Sequence, residues 1–184
     1  PASAFGANDR IAVGSVGVGP QGRSVMEMFL ASPDARVIAV CDVNALRRED
    51  ARKRVDQFYG DSGCAAYNDF RELVARQDID VVHCAAPDHW HVLVALEAAR
   101  AGKDMYIEKP LGLGLEWDKA LRREIRSRGN IFQFGTQHRS ERNFRFACEL
   151  VLNGRIGKVH TIRVALDASK LSASFPPMPV PEWL

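Results

Sequence analysis

The sequence predicts an α/β chain built on a doubly wound parallel sheet, and three observations predict it. Short apolar runs alternate with stretches of helical periodicity, the pattern of strands joined by crossover helices. Runs such as Val37–Cys41 are almost wholly apolar, as strands covered on both faces are. A glycine-rich turn stands between the first apolar run and the first helical stretch. Composition agrees with a packed interior. With 46% hydrophobic and 26% charged residues in 184, the chain is neither a disordered tail, a collagen nor a fibrous repeat. Its 25 basic and 23 acidic residues leave a formal charge of +2, too neutral for a nucleic-acid binder that works through bulk charge.

Each element follows from local pattern. Ile11–Val16 reads as the first strand. A helix follows from about Gln21 to Ala31, with Val25, Met28 and Phe29 on one face. Val37–Cys41 is the second strand, and Ala45–Tyr59 a charged amphipathic helix. Asn68 or Asp69 caps a short helix carrying Phe70, Leu73 and Val74. Asp80–Ala85 is a further strand. Asp88 caps the next helix, which turns Val92, Ala95, Leu96 and Ala99 inward and ends at Gly102. Met105–Ile107 is a strand stopped by Pro110. Leu115–Arg128 is a helix with Gly129-Asn130 as its stop signal, and Ile131–Thr136 is a strand.

A doubly wound unit is therefore complete over residues 1–136. Residues 137–184 read as the incomplete opening of a second domain: a helix at Asn143–Leu152, an alternating strand at Val159–Leu166, and a four-proline stretch at Ser172–Pro181. No run of ~18 apolar residues is present to span a membrane. Cys41, Cys64, Cys84 and Cys148 form no CxxC pair, and His138 and His160 have no partner at metal-ligand spacing, so neither a metal site nor a disulfide framework is expected. The arginine-rich stretches Arg47–Arg54 and Arg122–Arg128 carry acids between the bases and read as solvated helix faces.

The first chemical motif is Gly17-Val18-Gly19-Pro20-Gln21-Gly22, a GxGxxG at a strand-to-helix junction. Gly17 permits the tight turn, Gly19 lets backbone approach a pyrophosphate, and Gly22 allows close helix–strand packing. The following helix start offers unpaired N–H groups to phosphates. The motif is confirmed by an acid ~20 residues on, and Asp42 stands 20 residues after Gly22 at the end of the second strand. A carboxylate there accepts from a ribose diol and repels a 2′-phosphate, which favours NAD over NADP. Arg47 and Arg48 pull the other way, because either could receive that phosphate.

Two further stretches sit at strand ends, where open α/β sheets bind ligands. In Ala85-Ala86-Pro87-Asp88-His89-Trp90-His91 the small residues leave room for a flat cofactor. His91 either faces that cofactor or packs under a loop. In Glu108-Lys109-Pro110, Lys109 is either a general acid/base once burial lowers its pKa, or half of a surface ion pair. No GxSxG, HExxH or Walker sequence supports a hydrolase elbow, a zincin or a P-loop.

Together these residues resemble the Gfo/Idh/MocA oxidoreductase family. The likeness rests on the GxGxxG, Asp42, the A-x-P-x-x-x-H of Ala85–His91, the E-K-P of Glu108–Pro110 and the G-T-Q of Gly135–Gln137. It spans roughly Arg10 to Lys158. It implies an N-terminal Rossmann domain and a C-terminal α/β domain whose open sheet makes homo-oligomers. It also implies NAD(P)-dependent redox chemistry on a sugar or polyol. Carried onto this chain, Gly17, Gly19 and Gly22, with Pro20 and Gln21 between them, would hold the pyrophosphate, and Asp42 the adenosine ribose. Ala85, Pro87 and His91 would line the cofactor path. Glu108 would orient the nicotinamide ribose. Lys109 would stand beside nicotinamide C4 and the substrate carbinol as proton relay or electrostatic stabiliser, with Gln137 near nicotinamide or substrate.

The resemblance carries three further expectations. Ala7–Ile11, the P-D-H-W-H of Pro87–His91 and Gly154–Lys158 are similar to exported bacterial members that carry a twin-arginine leader. This implies a periplasmic protein, with the cytoplasm as the alternative. The family runs well past one domain of ~100–200 residues, so this chain is expected to bind dinucleotide but to turn substrate over poorly. Some exported relatives are glycoside hydrolases that oxidise and re-reduce the sugar around a retained NAD. The readings to separate are thus a dehydrogenase, such a hydrolase, and a non-catalytic dinucleotide-binding module.

Overall fold

The computed structural model describes residues 10–165. Six parallel strands form one sheet, β1 Ile11–Val16, β2 Ala35–Cys41, β3 Ala65–Tyr67, β4 Val81–Cys84, β5 Asp104–Glu108 and β6 Phe132–Gly135, in the spatial order β3-β2-β1-β4-β5-β6. The first three strands step outward from β1 in one direction and the last three in the other. The sheet therefore has a switch point between β1 and β4, where a crevice opens at the carboxyl ends. Helices α1 Pro20–Ala31 and α2 Ala45–Tyr59 cover one face; α3 Phe70–Val74, α4 Asp88–Arg100 and α5 Leu115–Arg128 cover the other. Val13, Val37, Met26 and Val55 pack on the first side, and Val82, Ile107, Ala95 and Leu121 on the second.

Local chemistry sets most boundaries. Asn44 caps α2 by accepting from the Leu46 and Arg47 N–H groups, and Gly60 ends it at φ 70°. Of the two candidates for capping α3, Asp69 does so, accepting from Arg71 N–H, while Asn68 accepts from Arg48 instead. Gly129 closes α5 in the left-handed region, where a side chain would be strained. Proline opens α1 at Pro20, one residue before the predicted start, because its missing N–H is not needed there.

Four expectations change. Asp88 is not the cap of α4: Pro87 occupies that position, its carbonyl closing the first turn from Trp90 N–H at 2.8 Å, and Asp88 is the first helical residue. Glu108 is the last residue of β5 rather than part of the loop after it. The three-residue β3 carries too little pattern to be read from sequence, and exists because it pairs with Ala39–Cys41 of β2. The alternating stretch expected as a strand over Val159–Leu166 is not one: residues 159–165 form no ladder, and Leu166 and the prolines beyond lie outside the described residues. Alternation makes a strand only when a partner takes its backbone groups.

The described residues divide into two compact units, 10–135 and 136–165. The second holds a one-turn 3-10 helix, Gln137–Arg139, and α6 Arg142–Leu152. Among the described residues no helix is long and apolar enough to cross a membrane.

Candidate cofactor site

The carboxyl ends of three neighbouring strands finish level, because Val16 pairs with Cys41 on one side and Cys84 on the other. The residues that follow are tied across the gaps. Gly17 N–H donates to Cys41 O at 2.8 Å, Ala85 N–H to Val16 O at 2.9 Å, and Asp42 N–H to Tyr67 O at 3.2 Å. Register alone thus brings the glycine turn, Asp42 and the Ala85–Pro87 loop to one edge. Between them lies a cleft of about 530 Å³ whose walls include Gly17, Gly19, Pro20, Gln21, Asp42, Ala85 and Pro87.

The three glycines do different work. Gly17 has φ 77°, and an added Cβ would meet Ala86 N at 2.3 Å. A Cβ on Gly22 would lie 1.8 Å from Gly17 O, so the first turn of α1 rests directly on the loop. On Gly19 it would meet nothing closer than the Arg47 guanidinium at 3.6 Å. Its bareness serves no internal contact and leaves open space above the helix start. No side chain caps α1, and no acid stands in its first turn. The first bond of its ladder runs from Arg23 N–H to Gly19 O, so the Gln21 and Gly22 amides precede it. Uncapped amides at a positive helix end with a bare glycine beside them fit a pyrophosphate.

Asp42 is half-buried and held from two sides. Its Oδ2 accepts from Val18 N–H and its Oδ1 from Asn44 N–H, each at 2.9 Å. Each oxygen keeps lone-pair capacity for a diol, because a carboxylate has about four acceptor sites. Arg48 is spent on structure, donating from Nη1 to Asp42 O at 2.5 Å and to Asn68 Oδ1 at 3.1 Å. Arg47 lines the cleft and makes no ion pair among the described residues. Phe70 and Trp90, edge to face with centroids 6.1 Å apart, form an apolar wall, and Asn44, Asn68 and Val43 complete that end. No local sequence pattern marks Phe70, Asn44, Asn68 or Val43 as cleft residues. Only the P-D-H-W-H run hinted at Trp90, and Phe70 reaches the cleft from a different element.

Glu108 is buried at 2% exposure. Its Oε1 accepts from Gln21 Nε2 at 3.2 Å, which links the glycine turn to the end of β5, and its Oε2 accepts from Lys109 N–H at 3.3 Å. The Glu108 carboxylate lies against Gly135, where a Cβ would come within 2.9 Å of Oε1. Lys109 is exposed, so the burial expected to tune it is not supplied by this unit. The Lys109–Pro110 peptide is cis.

His91 differs from expectation. It is 1% exposed, is not part of the cleft wall, and turns both ring nitrogens onto backbone carbonyls. Helical spacing puts residue 91 on the inward face of α4 with Val92, Val94 and Ala95, which carries the ring under the loops rather than along the cleft. Gln137 belongs to the second unit, at the start of its 3-10 turn.

Residues 11–136 match the profile of the GFO_IDH_MocA family, described as an oxidoreductase family with an NAD-binding Rossmann fold. The chain is 39% identical over 116 residues to a glycosyl hydrolase family 109 protein of Saccharopolyspora erythraea, covering 59% of this chain and 24% of that protein. It is 31% identical over 152 residues to a myo-inositol 2-dehydrogenase of Thermotoga maritima, covering 83% of this chain and 44% of that protein. A scyllo-inositol dehydrogenase of Lactobacillus casei, solved with bound NAD(H) and scyllo-inositol, superposes with a TM-score of 0.72 at 28% identity, over 81% of this chain and 43% of that one. The chain thus spans less than half the length of these relatives. With the glycine turn, the acid at the end of β2 and the E-K-P at the end of β5 all on one sheet edge, the chain belongs to the Gfo/Idh/MocA oxidoreductase family, and residues 11–136 are its NAD-binding Rossmann fold.

Proposed function

We propose that the protein is an NAD-dependent dehydrogenase that moves a hydride between nicotinamide and a carbinol of a sugar- or polyol-like substrate. The observation that carries the reading is the single edge shared by an uncapped helix start, a bare Gly19, a backbone-held Asp42 and the Glu108–Lys109 turn. Bound NAD supplies the hydride acceptor. The chain supplies the rest. The Gln21 and Gly22 amides bind the pyrophosphate, Asp42 accepts from the adenosine ribose, and the Phe70–Trp90 wall takes the adenine face. Glu108, oriented by Gln21, accepts from the nicotinamide ribose. Lys109 holds or takes the carbinol proton at Nζ, with cofactor and substrate providing the burial its own unit does not. Gln137 contacts nicotinamide or substrate in the same reading. Inositol dehydrogenases among the relatives support a polyol. Arg47 is the residue through which NADP would be tolerated, and NAD is preferred because Asp42 repels a 2′-phosphate. A homo-oligomer and a periplasmic location belong to the same proposal. The location is supported by the likeness of the P-D-H-W-H run to exported members, and cell fractionation checks it.

The test is calorimetric titration of the chain with NAD⁺ and NADP⁺, beside Asp42→Ala. The expected result is NAD⁺ binding stronger than NADP⁺ binding, with NAD⁺ weakened roughly tenfold or more by the loss of a charge-assisted contact. Equal NAD⁺ affinity in the variant would remove Asp42 from the site. The likeness to family 109 glycosyl hydrolases favours a second reading. In it the sugar is oxidised at C3, the aglycone eliminated, water added and the ketone reduced again, with no net change in NAD. A hydrolase of that kind co-purifies with NAD, whereas a dehydrogenase exchanges it freely.

A further inference from the structure

We propose that His91 is a positioning residue that bridges the two loops of the site and fixes the Lys109–Pro110 turn against the cleft. This rests on the reading that Lys109 serves the chemistry of a bound dinucleotide. The ring lies on the buried face of α4 and is not part of the cleft wall. Its Nδ1 is 2.6 Å from Pro110 O, and its Nε2 is 2.8 Å from Ala86 O. Ala86 belongs to the wall of the cleft, after β4; Pro110 follows Lys109 directly, after the adjacent strand β5.

Both acceptors are carbonyl oxygens, which cannot donate. Whichever ring nitrogen carries the proton donates to its carbonyl, and the other edge of the ring packs against the second loop. The loop is also packed flat just beyond the bridge. A Cβ at Gly112 would come within 2.7 Å of Val92 Cγ2 on α4 and 2.6 Å of Asp118 Oδ1 on α5. Helix α4 therefore holds the loop carrying Lys109 by packing through Val92 and by hydrogen bonding through His91. The separation of Ala86 from the Lys109 backbone is set by one rigid ring.

Three measurements on the chain test the bridge. In the wild type, nitrogen-15 spectra should show a His91 ring N–H with a scalar coupling across its hydrogen bond to the Pro110 or Ala86 carbonyl carbon; absence of any such hydrogen-bonded N–H would overturn the bridge. In His91→Phe, which keeps a flat ring and removes both ring nitrogens, amides of Ala86–Asp88 and of Leu111–Gly112 should exchange at least tenfold faster, and NAD⁺ should bind roughly tenfold more weakly. His91→Gln, which can keep one donor, should recover part of both effects. Unchanged exchange in both loops, or unchanged NAD⁺ affinity in a folded His91→Phe, would overturn the proposal. If His91→Phe fails to fold, the wild-type ring nitrogens still decide. Failure of the wild type to bind NAD⁺ would sink the dehydrogenase reading alone, because the ring spectra and the exchange data judge the bridge without cofactor.

Discussion

At Gly22 one methyl group decides whether the phosphate turn closes. An alanine there puts Cβ 1.8 Å from a backbone oxygen of the same turn, and no flexible side chain is available to yield. Gly22→Ala should therefore lose about 1–3 kcal/mol of stability, seen as a lower urea midpoint, and should lose NAD⁺ binding with it. Gly19 separates the two effects. Its φ is −65° and its Cβ position is open, so Gly19→Ala should fold with stability within about 0.5 kcal/mol of wild type. Its NAD⁺ affinity should nevertheless fall, because the methyl stands where the pyrophosphate approaches. Undiminished NAD⁺ binding by Gly19→Ala in calorimetry would place the phosphates elsewhere.

Strand β4 shows how an element can carry a polar group through a core. His83 is fully buried between β1 and β5, with Nδ1 3.3 Å from Ser15 Oγ and the Phe29 and Tyr106 rings 5.6 and 5.9 Å away. Desolvation pushes its pKa down to about 3 from an ordinary 6.5. As pH falls below 6.5 the unfolded chain takes up a proton that the folded chain refuses until about 3, so stability drops across that window and is unaffected by this group above it. Between pH 7 and pH 5 the wild type should lose about 2 kcal/mol more than His83→Phe, read from urea unfolding at each pH. Half-buried Asp69, held down to about 2 by the hydrogen-bonded Arg71 guanidinium, adds its own loss only as pH falls below its ordinary 3.8, outside this range. A wild-type slope no steeper than the variant's would show that the ring is solvated or charged in the fold.

At the scale of the whole molecule, the sheet sorts the cysteines. Cys41, Cys64 and Cys84 are buried, and burial pushes their thiols up to about 12; Cys148, on α6 of the second unit, is exposed. A thiol-reactive disulfide reagent at neutral pH should label one cysteine quickly in the native chain and all four in denaturant. Fast labelling of a second thiol would mean that the sheet opens. NAD⁺ should not change the count, since Cys41, although it borders the cleft, is only 3% exposed and belongs to the buried cluster of Val16 and Ala39. The switch point organises function at this scale too, because it leaves a crevice where the connections after the paired strands β1 and β4 run to opposite faces of the sheet.

The sequence by itself determined what depends on near neighbours in the chain. Helices α2 and α5 lie where periodicity, Asn44 and the stop glycines Gly60 and Gly129 put them. The glycine turn and Asp42 were legible because phosphate and ribose recognition demand particular residue types at particular spacing. Tertiary structure alone decided what depends on partners far along the chain. Three residues become β3 because β2 lies beside them, while residues 159–165 have the alternation and pair with no strand among the described residues. Phe70 and Trp90 meet across two helices to wall the cleft, and Gln21 meets Glu108 across 87 residues. His91 shows the division within one side chain. Its spacing from Asp88 was equally compatible with a ring facing cofactor and a ring under a loop. Only the placement of Ala86 and Pro110 in the loops after adjacent strands supplies the two carbonyls against which it turns inward. Periodicity reports which way a side chain points from its own helix; what it meets there is set by strand order, which no local pattern encodes.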